Sequence, residues 1–573
     1  MIVIDALLLF LFLLIILALV KPLGIYMAKV FRGEIGRFVR PLETAIYRIS
    51  GVDPSVEMGW KTYAVSMLLF NFLGMIVLFL LLLFQGVLPL NPQGFPGFSW
   101  DQAVCEAVSF VTNTDWQSYS GESAVSYLTQ MAGFAVQNFL SAATSICVAV
   151  ALIRGIARRN QPTIGNFWVD MVRCCLYILL PLSILLAIVL MSQGVIQNFN
   201  PYANTSLLSP FQAPDGTMIA GQMLPMGPIA SQEAIKELGT NGGGPFNANS
   251  AHPFENPNML TNLLEIFSIL IISLAMIYTF GYMVNDTRQS WAIIATILVI
   301  FLICIAFFYW AESNGNPILG NMHLTGPYME GKEARFGIGQ SLLFAAATTG
   351  TSAGAVNMMH DSLTPLGGMV PLFLMMLSEV VPGGTGSGLY TMLAYVIIGV
   401  FIAGLMIGRT PEYLGKKIEA LEMRGSIVIV LTSGLLILVI SGVALVMPAG
   451  TSSILNSGPH GLTEIIYAFA SMSNNNGSAF AGLNANTLFY NLVGALAMFI
   501  GRFVPAVAAL AMAGSLASKK YYQTTIATLP THTPSFVLWI IFVIMLIGAL
   551  TFFSILAVGP VVEYLLMIKG VTF

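Results

Sequence analysis

The sequence predicts an all-α integral membrane protein with ten transmembrane helices and four pseudo-symmetric repeats, each built as span, pore helix, filter loop and span. Three observations predict this fold. Hydrophobic residues make up 56% of the 573 residues and charged residues only 9%, against roughly a quarter charged in soluble domains. Apolar stretches of about 20 residues, the length that crosses a bilayer, recur along the chain. Polar runs with glycine or asparagine recur between them in four places.

Ten apolar windows predict the spans. The first contains Asp5 and is followed by Lys21 and Pro22. We interpret it as a retained span, because no basic region precedes it and no small-residue cleavage site follows it; a cleaved signal peptide is the alternative. The predicted spans cover residues 2–21, 62–84, 127–153, 170–192, 259–284, 289–311, 364–408, 426–447, 487–512 and 536–567.

The seventh window, 364–408, is too long for one straight span and is interrupted by PGGTGSG at 382–388. Basic residues, Arg37 and Arg409 among them, concentrate after spans one, three, five, seven and nine, whereas the alternate loops carry only three. By the positive-inside rule the basic loops are cytoplasmic. The basic loops all lie on the same side of the membrane only if residues 364–408 cross it once. The sequence therefore predicts one discontinuous helix, rather than two spans with a loop, and both termini extracytoplasmic.

The spans divide the chain into repeats. Residues 1–61 form the first span with a cytoplasmic linker, and residues 536–573 form the last span. Between them lie four predicted pore repeats, the third with a broken second helix: 62–153, 170–284, 289–408 and 426–515. Internal repeats in a membrane protein suggest a pseudo-symmetric pathway.

Each repeat has an outward loop that contains a short half-helix and then a polar run. Ser99 and Gln102 predict a capping box at the start of the first half-helix. The C-terminus of each half-helix, the negative end of its dipole, would point into the membrane. The polar runs are TNTDWQ at 112–117, GTNGGG at 239–244, TGTSAG at 349–354 and SNNNGS at 473–478.

Four such runs around one axis would form a ring of neutral oxygens. Backbone carbonyls in such a ring can replace the hydration shell of a cation. Asp115 is the single acid in the four runs, so a carboxylate ring for a divalent ion is not predicted. Ordinary turns are the alternative for any one run, but four matching positions favour a filter for a large monovalent cation.

These runs resemble the potassium-binding A subunits of the Kdp potassium-transporting P-type ATPases, the KdpA family. The resemblance covers essentially the whole chain and is carried by long, specific segments. They are TNTDWQSYSGE at 112–122, GTNGGGPFNANSAHPFENP at 239–257, TSAGAVNMMHDS at 351–362, PGGTGSGLY at 382–390 and SNNNGSAFAGL at 473–483.

The resemblance implies the potassium-selecting subunit of an ATP-driven, high-affinity potassium import complex in a bacterial or archaeal cell membrane. A KdpB-type subunit would hydrolyse ATP, and a KdpC-type and often a very small KdpF-type subunit would complete the complex. Gln117 would shape the filter mouth. The implied potassium-binding residues are Thr112, Asn113, Thr114, Thr240, Asn241, Gly242, Thr351, Ser352, Ala353, Gly354, Asn474, Asn475, Asn476 and Gly477.

Two ionisable residues, Arg502 and Glu379, lie within predicted spans. Because an intramembrane charge is costly, each is a functional candidate. Arg502 could oppose free passage of potassium to the cytoplasm, or it could form a structural ion pair with Glu379 or Glu265. The broken helix could gate the path below the filter, or it could be a packing kink. Its candidate gating glycines are Gly383, Gly384, Gly386 and Gly388.

The chain itself is not predicted to be an enzyme. GGTGSG at 383–388 lacks the lysine that follows a phosphate-binding loop, and no soluble nucleotide domain is evident. Potassium is therefore the expected ligand, and no nucleotide is expected. The alternatives are a stand-alone or gradient-driven potassium or sodium transporter of the same superfamily, regulated by a cytosolic nucleotide-binding ring, and a structural or receptor-like membrane protein. A neighbouring gene for a P-type ATPase would distinguish the first alternative.

Overall fold

The structure, a computed structural model, describes residues 2–35, 39–322, 328–408, 410–522 and 529–571. Arg37 and Arg409, two of the basic residues that predicted the orientation, lie outside these ranges. Within them the chain is mostly helical, and its strands form three two-stranded antiparallel pairs. The predicted all-α membrane class is confirmed.

Among the described residues, ten helices are long and apolar enough to cross a membrane. We number them spans 1 to 10, and each coincides with one predicted span. Their bounds are Asp5–Arg32, Trp60–Val87, Thr129–Ala157, Phe167–Ser192, Met259–Met283, Thr287–Gly320, Ser387–Ile407, Ala420–Val446, Leu488–Ser518 and Pro534–Met567.

Span 1 is longer than predicted. Its helix begins at Ile2 and continues to Arg32, past the predicted end at residue 21. Pro22 lies inside the helix, which a membrane helix tolerates when neighbouring groups compensate for the lost hydrogen bond. The helix packs closely on span 5, because a Cβ on Gly24 would lie 2.8 Å from the carbonyl oxygen of Ala275.

Spans 3 and 5 form the centre of the molecule. In their most apolar windows 89% and 83% of the residues are buried, against 17% in span 1. Small side chains let neighbouring helices approach span 3, as where Gly155 touches Ala513 of span 9. Spans 3 and 5 therefore surround the region in which the polar loops meet.

The seventh span is broken, as predicted. A short apolar helix, Pro365–Met376, precedes residues 377–386, and the helix resumes as Ser387–Ile407. The break begins before PGGTGSG, since Ser378 and Glu379 already have positive φ angles of 58° and 49°. Gly388 belongs to the resumed helix rather than to the break.

The remaining elements connect the spans. A hairpin of Ala203–Gln212 and Met218–Leu224 was not predicted, although the Asp215-Gly216 pair between its strands is a hairpin signal. The other strands are Met58–Gly59 with Thr163–Gly165 and Glu412–Tyr413 with Lys416–Lys417. The other helices outside the spans and pore loops are Arg40–Ser50, Gly121–Ala124 and Pro448–Thr451, with 3₁₀ turns at Asn249–Ala251 and His360–Ser362.

Candidate functional site

Four half-helices precede the polar runs where the sequence placed them. They have 10 to 17 residues and at 1.5 Å per residue reach at most about 26 Å, less than the roughly 30 Å of a bilayer core. They cannot cross the membrane, so each delivers its C-terminus to a point inside the protein. We call them pore helices 1 to 4: Trp100–Val111, Ile229–Leu238, Gly337–Gly350 and Gly458–Asn474.

The predicted capping box of pore helix 1 is wrong. Ser99 is the N-cap residue but makes no side-chain cap bond. Gln102 instead donates its side-chain amide to the carbonyl oxygen of Ser118 at 3.1 Å. The glutamine therefore ties the start of the pore helix to the chain that follows the filter run.

One hydrogen bond recurs at the end of all four pore helices. In each, a backbone N–H donates to the carbonyl oxygen five residues earlier, which is the long bond of a Schellman ending. The preceding residue is left-handed, with φ of 64°, 48°, 57° and 61° at Asn113, Thr240, Ser352 and Asn475. The bonded pairs are Thr114–Ser109 (2.9 Å), Asn241–Lys236 (2.9 Å), Ala353–Thr348 (3.1 Å) and Asn476–Ser471 (2.9 Å).

This bond fixes the alignment of the four loops. The predicted filter residues occupy equivalent backbone positions, but the sequence analysis had left out Gly239 and Asp115. In order along each loop the equivalent sets are Thr112, Gly239, Thr351 and Asn474; Asn113, Thr240, Ser352 and Asn475; Thr114, Asn241, Ala353 and Asn476; and Asp115, Gly242, Gly354 and Gly477.

The fourth position of each loop touches the next loop. A Cβ on Gly242 would overlap the backbone of Gly354, one on Gly354 would lie 2.8 Å from the carbonyl oxygen of Asn476, and one on Gly477 would overlap the carbonyl of Thr114. Asp115 reaches the second loop by accepting from the N–H of Gly243 at 3.2 Å. The four loops therefore form a closed ring in chain order.

Asparagine amides connect neighbouring loops. Asn113 donates to the carbonyl oxygen of Thr240 at 2.6 Å, and Asn241 donates to Oδ1 of Asn113 at 2.9 Å. Asn475 donates to Oγ1 of Thr114 at 2.9 Å. Among the described residues, the buried Oδ1 atoms of Asn241 and Asp115 have no hydrogen-bond partner. The amide donors thus hold the ring together, and oxygen atoms remain for a cation.

Gln117 lies beside the ring and joins the first two loops. Its Nε2 donates to the carbonyl oxygen of Gly244 at 2.9 Å, and its Oε1 accepts from the N–H of Gly244 at 3.2 Å. The structure therefore brings the predicted mouth residue onto the second loop.

A buried ion cluster behind the second loop was missed by the sequence analysis. Lys236 Nζ lies 2.8 Å from carboxylate oxygens of both Glu233 and Glu255, and it donates a hydrogen bond to Oδ1 of Asn249 at 3.0 Å. Asn249 in turn donates to the carbonyl oxygen of Gly242 at 2.6 Å. The spacing of Glu233 and Lys236 on one helix was a signal, but Asn249 and Glu255 are distant in sequence.

Arg502 and Glu379 line one cavity beneath the ring, together with Ser352 and Asn475. Both charged side chains are buried. Arg502 donates to the carbonyl oxygen of Ser141 at 3.1 Å and to the hydroxyl of Ser145, both in span 3.

The alternative of a structural ion pair for Arg502 is not supported. In the described part of the chain, no carboxylate oxygen lies within 4.0 Å of its guanidinium group. Glu265 instead lies with Glu233 and Glu237 behind the second loop. Arg502 therefore lies in the cavity below the filter with no carboxylate at ion-pair distance among the described residues.

The break in span 7 packs directly against the ring. The N–H of Gly383 donates to the carbonyl oxygen of Gly350 at 2.8 Å, and the N–H of Thr385 donates to Oγ1 of Thr240 at 3.0 Å. A Cβ on Gly386 would overlap the backbone of Ser145. The predicted gating glycines Gly383, Gly384 and Gly386 thus lie between the second and third loops and span 3.

A second charged group lies away from the ring. His460 Nδ1 is 2.8 Å from Glu563 and its Nε2 is 3.0 Å from Asp361. Burial by itself lowers the pKa of His460, but these two hydrogen bonds outweigh it and raise the pKa to about 10. Both partners are about a hundred residues from His460 in sequence, so residue spacing did not predict this group.

The chain is similar to known proteins over most of its length. The family described as the potassium-transporting ATPase A subunit (KdpA) matches residues 10–565. The chain is 60% identical to the potassium-transporting ATPase potassium-binding subunit of Geotalea uraniireducens and 57% identical to that of Geobacter metallireducens, in each case over 98% of both chains. The crystal structure of the potassium transporter TrkH from Vibrio parahaemolyticus matches with a TM-score of 0.48 and 15% identity, over 74% of this chain and 82% of that one.

Proposed function

The chain belongs to the family of potassium-transporting ATPase A subunits, and on that premise we propose how its loops select the ion and what lies beneath them. It is the potassium-selecting subunit of an ATP-driven potassium import complex, and the transport subunit rather than the catalytic one. The observation that carries the proposal is the closed ring of four loops with one shared backbone register.

The ring is the potassium filter in this proposal. Neutral oxygens from a ring of loops can replace the water around a large monovalent ion, and the asparagine amides keep those oxygens in place. Gln117 frames the mouth. The proposed potassium-binding residues are Thr112, Asn113, Thr114, Thr240, Asn241, Gly242, Thr351, Ser352, Ala353, Gly354, Asn474, Asn475, Asn476 and Gly477. Asp115 and Gly239 complete the equivalent positions.

Below the filter, Arg502 is the proposed barrier to free conduction. The break at residues 377–386, with Gly388 at the start of the resumed helix, is the proposed gate. The guanidinium group of Arg502 lies in the cavity under the ring and has no carboxylate at ion-pair distance among the described residues, which supports the barrier role. The break contacts two filter loops, which supports its role as the gate. Glu379 lines the same cavity and would attract the ion that Arg502 repels. Together they would hold potassium for transfer to the ATP-hydrolysing subunit.

The assembly and its placement are also proposed. The chain is a multi-pass membrane protein and one subunit of a potassium-transporting ATPase. We propose that KdpB-type and KdpC-type subunits, and a small KdpF-type subunit, are its partners, and that the chain binds no nucleotide itself. In the cell (inner) membrane, both termini would be extracytoplasmic. The proposed pore repeats are 62–153, 170–284, 289–408 and 426–515.

Substitution of Gly242 tests the filter. Gly242→Asp adds a side chain where a Cβ already overlaps Gly354, at a φ of 117°, so we expect the ring to be distorted. In the co-purified complex, the potassium concentration for half-maximal ATPase stimulation should rise at least tenfold. Gly216→Asp is the matched control, because Gly216 also has positive φ but lies in the hairpin turn. Unchanged stimulation in Gly242→Asp would refute the filter assignment.

A further inference from the structure

The helix Arg40–Ser50, between spans 1 and 2, is attached to the protein by its polar side. Glu43 accepts hydrogen bonds from Arg173 at 3.0 Å, from Tyr177 at 2.7 Å and from Tyr47 at 2.9 Å. Glu43 and Tyr47 are both buried. Gly51 ends the helix in the left-handed conformation, with φ of 68°. The helix is therefore firmly placed, and its orientation is set by a buried carboxylate.

Its apolar side faces outward. Leu42, Ile46 and Ile49 share one face at helical spacing, and Ile49 is 88% exposed and Leu42 52% exposed. A helix on a water-soluble protein does the reverse and buries its apolar stripe. A helix that buries a glutamate and exposes isoleucine is adapted to an apolar surrounding medium.

The contacts place this helix near the end of the spans. Arg173 and Tyr177 lie about 9 and 15 Å along span 4 from its start at Phe167. Span 4 has 26 residues, about 39 Å, so its ends extend past the roughly 30 Å apolar core. Tyr26 of span 1 also bonds the carbonyl oxygen of Tyr177 at 2.7 Å. The helix is therefore attached to the half of span 4 that begins at Phe167, towards that end of the spans.

Basic residues lie between the attached face and the apolar face. Arg40, Thr44 and Arg48 follow one another at four-residue spacing, and they line a shallow surface cavity with Pro41 and Ala45. Interfacial helices combine such a basic face with an apolar face. We propose that this helix lies in the membrane interface and that Arg40 and Arg48 bind the phosphate of an anionic phospholipid, while Leu42 and Ile49 enter its acyl region.

Lipid composition tests the arginines. The whole ATPase complex is placed in nanodiscs of phosphatidylcholine with increasing fractions of phosphatidylglycerol, and hydrogen–deuterium exchange is followed in residues 40–50. We expect protection to rise with phosphatidylglycerol and each arginine-to-glutamine change, Arg40→Gln or Arg48→Gln, to weaken the response roughly fivefold, which corresponds to ~1 kcal/mol per basic residue near an anionic surface. Arg288→Gln is the matched control, because Arg288 is an exposed cation at the start of span 6, and it should leave the response unchanged.

A spin label at Ile49→Cys identifies the medium around the apolar face. A high collision rate of the label with oxygen and a low rate with a nickel chelate would show that lipid surrounds this face, as proposed. High collision with the nickel chelate would mean that the face is in water, and low collision with both would mean that another subunit covers it; either result would overturn the proposal. Signal from the five native free cysteines is subtracted with the unsubstituted chain. In the exchange experiment, protection of residues 40–50 that does not depend on phosphatidylglycerol would also overturn the proposal.

Discussion

Asp115 is the residue at which the four loops differ most. It stands where the other loops have Gly242, Gly354 and Gly477, and its φ of 50° is one that aspartate tolerates better than most residues. Its Oδ2 accepts from Asn138 of span 3 at 2.7 Å and from the N–H of Gly243. The carboxylate thus connects the first loop to the second. The ring is therefore asymmetric, because the other three loops have glycine at this position.

Arg502 provides a prediction at the level of one charge. We expect Arg502→Ala to increase passive potassium leak through the complex in vesicles without ATP. A unit charge at ~6 Å with an effective dielectric constant of about 20 opposes a cation by roughly 3 kcal/mol, which is on the order of a hundredfold in rate. The measurement is potassium efflux under an imposed gradient.

Arg502→Lys is the control for that measurement. It keeps the charge, so leak should stay close to the wild-type rate even though the bonds to Ser141 and Ser145 are disturbed. If Arg502→Ala leaks no more than Arg502→Lys and couples ATP hydrolysis normally, the barrier role is wrong.

Among the elements, span 7 departs furthest from a regular helix. After Ser378 the backbone leaves the helical hydrogen-bond pattern, and Gly383 and Thr385 donate their N–H groups to the pore loops instead. Irregular backbone at membrane depth is tolerated where protein surrounds it. The break is therefore a part of the filter's support as well as a candidate gate.

Substitution of Gly386 tests this break. Gly386 has φ of 90°, and a Cβ there would overlap the backbone of Ser145, so Gly386→Ala should displace the break from span 3. We expect at least a tenfold loss of potassium-stimulated ATPase activity in the purified complex. Gly408→Ala is the matched control, because Gly408 ends the same helix with φ of 72°, and no atom of the described residues lies within 4 Å of its added Cβ. Equal activity in the two variants would show that this close packing is not required.

Across the whole molecule, contacts between distant segments hold the repeats together. Neighbouring loops of the ring are more than a hundred residues apart in sequence, yet each fits against the next. His460 of pore helix 4 makes a second connection of this kind. It bonds Asp361, which follows the third loop, and Glu563 of span 10.

His460→Gln tests that connection through its pH dependence. Because the folded pKa of about 10 exceeds the usual value of about 6.5, protonated His460 stabilises the fold fully below about pH 6.5. This stabilisation is lost as pH rises toward 10. We expect His460→Gln to lower the free energy of unfolding by about 3 kcal/mol near neutral pH, with the difference from wild type shrinking toward pH 10.

Thermal unfolding of the complex at several pH values measures the effect. His532→Gln is the control, since His532 is exposed and should change stability little at any pH. A stability difference for His460→Gln that stays constant from pH 6.5 to 10 would contradict the proposed charge.

The sequence by itself determined the membrane class, the ten spans, the four pore helices and the break in span 7. These features depend on local quantities: the length of an apolar stretch, the position of glycine and proline, and the side on which positive charge collects. The polar runs also identified the candidate filter residues, and the resemblance to the KdpA family indicated that the ion is potassium.

Only the tertiary structure decided the register of the loops, the place of Asp115 and the partners of Arg502. Each of these depends on which distant segments meet, and sequence periodicity carries no information about that. Asn241 bonds Asn113 because the four repeats close into a ring, and His460 bonds Glu563 because the last span packs against pore helix 4. The same closure makes glycine necessary at Gly242 and Gly477, where the backbone of another loop occupies the space that a side chain would need.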